Sequence, residues 1–515
     1  MKNKFTSTVA GASILITAVG LIGKGLGLVR EIVFANFFGL NAQYDIYLVG
    51  AVLPLTINSI ILYLSQNYII PNYNRIKINE LNNSNRFINS TFWSFSILSI
   101  VFSVALFFLS KFIIKFYIQP ESVSLFNSAL EVFRLFIITI PLNAAFSVLA
   151  AYLQAEFEFK LPAYSQLFLN ISIIFIVFIF SNKVGIYTIP FGYIVGSILQ
   201  LFFLLIKVKN KIKFSIIDFV RSQKSFSILN YSLLITILIE SISQIYLLAD
   251  RYFLNSVPQG GIASLNYASN IFLLPITIIS IALSTAIFPK LSQSFSSNDN
   301  EDLENKLNSF YSVNLYLFVP ISLILFFYGD LIIRILFQRG EFNYKATIMT
   351  FDVLRFYSLS LVFYSSYVVL NKLIYSATLV KELLLITIVG SSLKIILNFI
   401  LVGKYQQVGL AISTVLSYIF FFLFGTILIN SKLKLKIKNF FYELLFNLLN
   451  GFISYLLSEI LVNNYFSKNH FTSNLLKLIV FIAVYTANSI LVNQNAVNIF
   501  KRTIIFKKSK QVTAN

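Results

Sequence analysis

Four ionisable side chains, Lys24, Arg30, Glu31 and Asp45, lie inside long apolar runs in the first 75 residues. An ionisable group at mid-membrane costs several kcal/mol, so it normally faces a wet cavity, a partner charge or an ionic substrate. Arginine offers a bidentate fork and lysine a point charge, which together suit an anionic head group. Internal pairing with Glu31 and Asp45 is the alternative. Lys24 and Arg30 are six residues apart, a third of a turn off one face of a straight helix. Gly20, Gly23, Gly25 and Gly27 bracket Lys24. Glycine weakens a helix relative to alanine, so this segment is expected to bend or pack closely, and a bend would aim both cations at one cavity.

A second set lies downstream. Glu240 and Asp250 fall on the seventh predicted helix, and Lys394 sits in the apolar string SSLKIILNF. A lysine so far from either helix end cannot easily snorkel, so it is expected to have a carboxylate partner, for which Glu240 is the candidate. The pair is either structural or a coupling site, where protonation of Glu240 changes helix packing. Glu131 and Arg134, like Asp352 and Arg355, are three apart on one helix face and read as local ion pairs. Nothing here resembles a catalytic constellation. There is no cysteine, and the one histidine, His470, lies in a polar turn. No metal site, cofactor or enzymatic activity is expected.

The elements that must position these groups are membrane helices. The chain has 515 residues, is 57% hydrophobic and 16% aromatic, and has a mean hydropathy of +0.79. Apolar runs long enough for a bilayer, about 20 residues each, recur about 14 times. The first is too long and too glycine-rich for a signal peptide. The fold class is therefore an all-α polytopic membrane protein. Net charge is +20, and about 25 of the 40 Lys and Arg fall in segments that become cytoplasmic when the N-terminus is inside. Both termini are expected in the cytoplasm. Clusters such as Lys207, Lys209, Lys211 and Lys213 read as topology signals and contacts to anionic membrane lipid, not to nucleic acid.

Two strings recur about 220 residues apart: FFLSKFIIKF at 107–116 against FFYGDLIIRI at 326–335, then EVFRLF at 131–136 against DVLRFY at 352–357. Val184-Gly185 and Val408-Gly409 follow at a similar spacing. A six-helix repeat preserves membrane orientation, so two parallel repeats are expected, with a substrate handled by rocking of the halves. The predicted lobes are residues 1–208 and 226–430, followed by a helix pair at 439–500 and a basic tail at 501–515.

At these residues the chain resembles the MurJ/MviN lipid II flippases of the multidrug/oligosaccharidyl-lipid/polysaccharide exporter superfamily. The resemblance lies in GKGLGLVREIVFANFFGLNAQYDIYLVGAVLP at 23–54 and in LFQRGEF at 336–342, the most specific match. AYLQAEFEFKLPAYSQLFLN at 151–170, YASNIFLLP at 267–275 and IFPKLS at 287–292 support it. It implies a flippase that carries an undecaprenyl-pyrophosphate-linked saccharide across the bacterial cytoplasmic membrane by alternating access. Lys24, Arg30 and Asp45 would take the positions of the family's cavity-lining groups. Asn58-Ser59 and Ser269-Asn270 stand where the family tends to have arginines, placing Asn270 in the cavity without a charge. Glu240, Lys394, Asn398 and Thr414 match positions that hold sodium in some members, and the lysine ammonium is expected to replace the ion. Coupling to membrane potential, protons or sodium is the open choice. The alternatives are a Wzx-type flippase of O-antigen or capsule units, and a cation-coupled multidrug exporter, which Lys24 and Arg30 suit poorly. A membrane scaffold would have little use for buried charge, and a polysaccharide polymerase or ligase needs a large outer loop.

Overall fold

The computed structural model describes residues 9–79, 81–118, 123–212, 248–280, 299–377, 379–465 and 470–492, with isolated positions between them. Glu240, most of IFPKLS, and the tail 501–515 lie outside the described residues. All regular structure described is helical, as lipid requires of a chain that must satisfy its own backbone hydrogen bonds. The α-helices are Val9–Phe38 (α1), Ala42–Asn79 (α2), Leu81–Tyr117 (α3), Val123–Ile137 (α4), Thr139–Ala155 (α5), Lys160–Val184 (α6) and Thr188–Val208 (α7). They continue with Gly261–Pro275 (α8), Asn300–Phe337 (α9), Tyr344–Leu359 (α10), Leu361–Ser376 (α11), Val380–Leu433 (α12), Phe440–Tyr465 (α13) and His470–Val492 (α14).

Among the described residues nine helical stretches are long and apolar enough to cross a membrane, or ten if the α10–α11 pair, bent by 50°, is one span. Two of the nine are unusually long, at 49 residues for 160–208 and 54 for α12. Each changes direction where the backbone turns left-handed, at Gly185 with φ +63° and at Gln406 with φ +50°. The α4–α5 break at Ile138 and the α10–α11 break at Ser360 are likewise about 220 residues apart, the same interval as the repeated strings.

The arginines of those strings have a different task from the one their spacing suggests. Arg134 lies over the ring of Phe107 at 4.6 Å and donates to Ser110 Oγ. Arg355 lies over Phe326 at 5.1 Å. Neither pairs with its predicted acid among the described ion pairs, and Glu131 bonds Tyr187 instead. An aromatic face on the preceding helix attracts a guanidinium strongly where water is scarce.

The chain divides into two compact units, residues 1–263 with 339–343, and residues 264–338 with 344–515. In the first, α2 packs on α4 and α5, α3 on α5, and α1 on α6. Its apolar core has two clusters, one around Tyr68, Phe87, Leu149 and Leu204, the other around Ile46, Leu106, Phe133 and Ile137. In the second, α9 pairs with α10, α11 with α12, and the α13–α14 hairpin docks on α9. That docking uses a Phe327–Tyr455 stack at 3.9 Å and a Tyr328–Ser458 hydrogen bond at a kink in α9.

One end of the first unit is tied by ionic contacts. Glu156 accepts from Lys77 Nζ and from Tyr73 OH, and Glu158 pairs with Lys211. Burial raises the Glu156 pKa, but the hydrogen bonds from Lys77 and Tyr73 outweigh it and hold the carboxyl below its ordinary value. A folded value below the unfolded one stabilises above the unfolded carboxylate pKa of about 4.3, and the gain is lost as pH falls through the folded value. The melting temperature of the purified protein is expected to fall from pH 7 toward pH 4, and Glu156→Gln to flatten that fall. The exposed setting keeps the effect of the substitution at pH 7 to about 1 kcal/mol or less.

Candidate functional site

The glycine-rich stretch of α1 runs as uninterrupted helix. Lys24 and Arg30 therefore keep their separation of a third of a turn. Lys24 is exposed. Beside it the helix surface is bare, because a Cβ added at Gly20, Gly25 or Gly27 would meet nothing within 4 Å. The helix runs on through the glycines, with an open, side-chain-free face at Gly20, Gly25 and Gly27 and Leu167 beside Gly23.

Arg30 turns the other way, toward α6 and α7. Its Nη2 donates to Glu31 Oε1 at 2.7 Å, and Nη1 to Asn170 Oδ1 at 3.2 Å. Asn170 in turn donates to the Gly23 carbonyl at 3.5 Å. The guanidinium lies 5.7 Å from the Phe34 ring and 5.9 Å from Tyr193. Tyr44 OH donates to the second oxygen of Glu31 at 3.2 Å. The Arg30 side chain is 21% exposed against 8% for Glu31. A buried carboxylate and two aromatic faces thus fix the arginine, all three of whose guanidinium nitrogens donate, while about a fifth of the side chain stays accessible. Internal pairing, one of the two readings of these charges, holds for Glu31. Asn170, Tyr44 and Tyr193 escaped the sequence reading, although an asparagine closing an apolar helix string is a usable signal.

Asp45 was expected to line the cavity with the cations, and the structure assigns both of its oxygens elsewhere. Oδ2 accepts from Gly260 N at 2.6 Å and Oδ1 from Ala263 N at 2.7 Å, with the residue 3% exposed. Asp45 caps the start of α8, where backbone amides and the helix dipole favour an anion. Around it three turns interlock. Glu341 N donates to Asn36 O at 3.0 Å. Cβ atoms at Gly39, Gly260 or Gly340 would come closer than 3.0 Å to the backbone of Glu341, Leu40 or Asn36, and all three glycines have positive φ. This gives LFQRGEF a physical reason: only glycine at 340 lets the turn approach α1 in that conformation. Gly340→Val is expected to abolish activity and to cost about 3 kcal/mol or more of stability, read by thermal unfolding in detergent.

Asn58, where the resemblance would have placed an arginine, donates to Thr139 Oγ1 at 2.9 Å and stitches α2 to the α4–α5 break. Asn270 lies half-buried on α8, in the second unit.

The remaining predicted group is carried by α12, which folds back on itself at Gln406. Lys394, Asn398 and Thr414 are 1%, 0% and 4% exposed. Lys394 and Asn398 are one turn apart, and Ser413 Oγ donates to Asn398 Oδ1 across the fold. Ser413 and Ser417, both fully buried, extend this oxygen-rich surface and were not foreseen. Glu240 lies outside the described residues, and among those described no three His, Asp or Glu converge as metal ligands would.

Residues 34–482 match the family model described as lipid II flippase MurJ. A probable lipid II flippase MurJ of Buchnera aphidicola subsp. Schizaphis graminum is 29% identical over 424 residues, covering 78% of this chain and 80% of that one. The lipid II flippase MurJ of Thermosipho africanus is 26% identical over 451 residues, covering 86% and 90%. Among solved structures, a lipid II flippase MurJ in an inward closed conformation superposes with a TM-score of 0.78 at 24% identity, over 93% of this chain and 99% of that one. An inward-facing multidrug resistance transporter of the MATE family superposes at 0.62 and 14% identity, over 82% and 99%. At these identities the structures speak for the fold alone.

Proposed function

We infer the function from the fact that the chain belongs to the lipid II flippase MurJ family: it carries lipid II, an undecaprenyl-pyrophosphate-linked saccharide, across the bacterial cytoplasmic membrane. The observation that carries this reading is Arg30, a partly exposed side chain fixed by Glu31, Asn170 and two rings, on a helix whose glycine face also presents Lys24. A pyrophosphate accepts hydrogen bonds from several directions, and the two cations would meet it from different sides.

The transport cycle is alternating access, with both termini in the cytoplasm and about 14 crossings. That count takes α12 and residues 160–208 as two crossings each, and adds α1 and the apolar run of the sequence centred on Leu238. Asp45 and the three interlocked turns hold the fold around the site and do not touch the head group. Lys394 supplies a built-in cation where Asn398, Ser413 and Thr414 gather their oxygens, so transport needs no sodium. The relatives' names favour lipid II over an O-antigen or capsule unit, and the multidrug transporters share only the fold.

The test is rescue of a bacterium depleted of its own lipid II flippase, together with lipid II translocation in vesicles holding the purified protein. Rescue and translocation are expected. Failure of both at normal membrane expression, with translocation of an O-antigen intermediate, would overturn the lipid II reading.

A further inference from the structure

The turn between α5 and α6 breaks two local rules at once. Glu158 N donates to Leu153 O at 2.8 Å and Phe157 N to Gln154 O at 3.0 Å, the paired bonds of a Schellman helix end. The residue between them must be left-handed, and glycine normally fills that place. Here it is Phe157, at φ +58°. For a bulky residue this conformation is a strained outlier. The ring gains little burial in return, since it is 75% exposed and lies edge on to Phe159 with ring centroids 6.1 Å apart. Three residues on, Lys160 occupies the first turn of α6, against the helix dipole.

The flanking residues hold this geometry. Glu156 is gripped by Lys77 and Tyr73, and Glu158 by Lys211, so the turn is pinned on both sides while Phe157 projects. The charged neighbours also fix its depth. A ring between two glutamates that each pair with a lysine, just past the end of α5 and before α6, stands at head-group level and not among acyl chains. Lys160, Lys207 and Lys209 add positive charge that these glutamates do not offset. Aromatic rings favour the interface, and basic side chains favour an anionic leaflet.

We propose that Phe157 and the surrounding lysines form an interfacial anchor that inserts into the anionic phospholipid surface and pins this end of the first unit to the bilayer. Strain at a displayed aromatic is retained where the display has a use.

The chain has one tryptophan, Trp93, so a Trp93→Phe, Phe157→Trp variant carries a single reporter. In nanodiscs of phosphatidylcholine with brominated phosphatidylglycerol, emission from position 157 is expected to be blue-shifted and quenched. Quenching should be stronger by shallow than by deep bromines, and about fivefold greater than with brominated phosphatidylcholine at equal mole fraction, as one lysine near an anionic surface implies. Lys207→Gln with Lys209→Gln should reduce that preference. Because glycine suits the left-handed position, Phe157→Gly should keep or raise the melting temperature in detergent while weakening the stabilisation that anionic lipid adds. A reporter that stays red-shifted and open to aqueous acrylamide in both lipids would overturn the proposal. So would shielding that appears only in native membrane vesicles, which would assign the ring to a protein partner.

Discussion

Arg30→Ala is expected to abolish rescue of a flippase-depleted bacterium and to reduce lipid II translocation in vesicles by about a hundredfold, at unchanged membrane expression. The size follows from what the fork does. Charge-assisted hydrogen bonds contribute about 1.5 to 3 kcal/mol each, and two lost to a pyrophosphate amount to a factor of about a hundred or more. Removal also takes the arginine from Glu31, which is 6% exposed, and breaking a buried pair costs about 3 to 5 kcal/mol. A stability defect would therefore accompany the loss of transport, and the double substitution Arg30→Ala with Glu31→Ala separates the two. With the carboxylate that has lost its arginine also gone, thermal stability should recover while transport stays lost. Transport restored by the double variant would mean that the pair is structural and that the head group is held elsewhere. Lys24→Ala, which leaves no buried partner behind, should lower translocation about tenfold without altering the melting temperature.

Lys394→Met should be close to inactive, and wild-type translocation should be the same in sodium and in choline buffers. Methionine keeps the volume and removes the charge. A lysine that is 1% exposed must have its ammonium satisfied within the protein, and deleting a buried charge from its partners costs about 3 to 5 kcal/mol. Asn398→Ala should have a smaller effect, about 1 kcal/mol, because Ser413 Oγ keeps the Leu410 carbonyl as an acceptor and no ion is stranded. Clear stimulation of the wild type by sodium would refute the role of Lys394 as a resident cation. Full activity of Lys394→Met would reduce the residue to packing.

How far the chain could be read without coordinates follows from the range of the physics involved. A membrane helix is a local object, because about 20 apolar residues meet the bilayer's thickness and satisfy their own backbone. Apolar runs therefore announced the class. Charges inside those runs were legible for the same reason, and Lys24, Arg30 and Lys394 stood out by position alone. The glycines of α1 were read as a bend or close packing, and the helix continues through them, with Leu167 against Gly23. Glycine permits a bend without requiring one, and open space beside Gly20, Gly25 and Gly27 leaves that face of the continuous helix bare. The ion pairs read from Glu131–Arg134 and Asp352–Arg355 failed. Spacing places two side chains on one face, but the rings of Phe107 and Phe326 on the preceding helices compete for each arginine.

The sequence by itself determined that this is a membrane transporter built of helices, where its anomalous charges lie, and which family's motifs it carries. Only the tertiary structure decided their partners. Arg30 meets Asn170 across 140 residues, and Asp45 meets Gly260 across 215. The same carboxylate that looked like a cavity acid became a helix cap because the fold brought two free amides within 2.7 Å of it. Hydropathy is summed along the chain, whereas a hydrogen bond depends on which distant atoms the packing delivers.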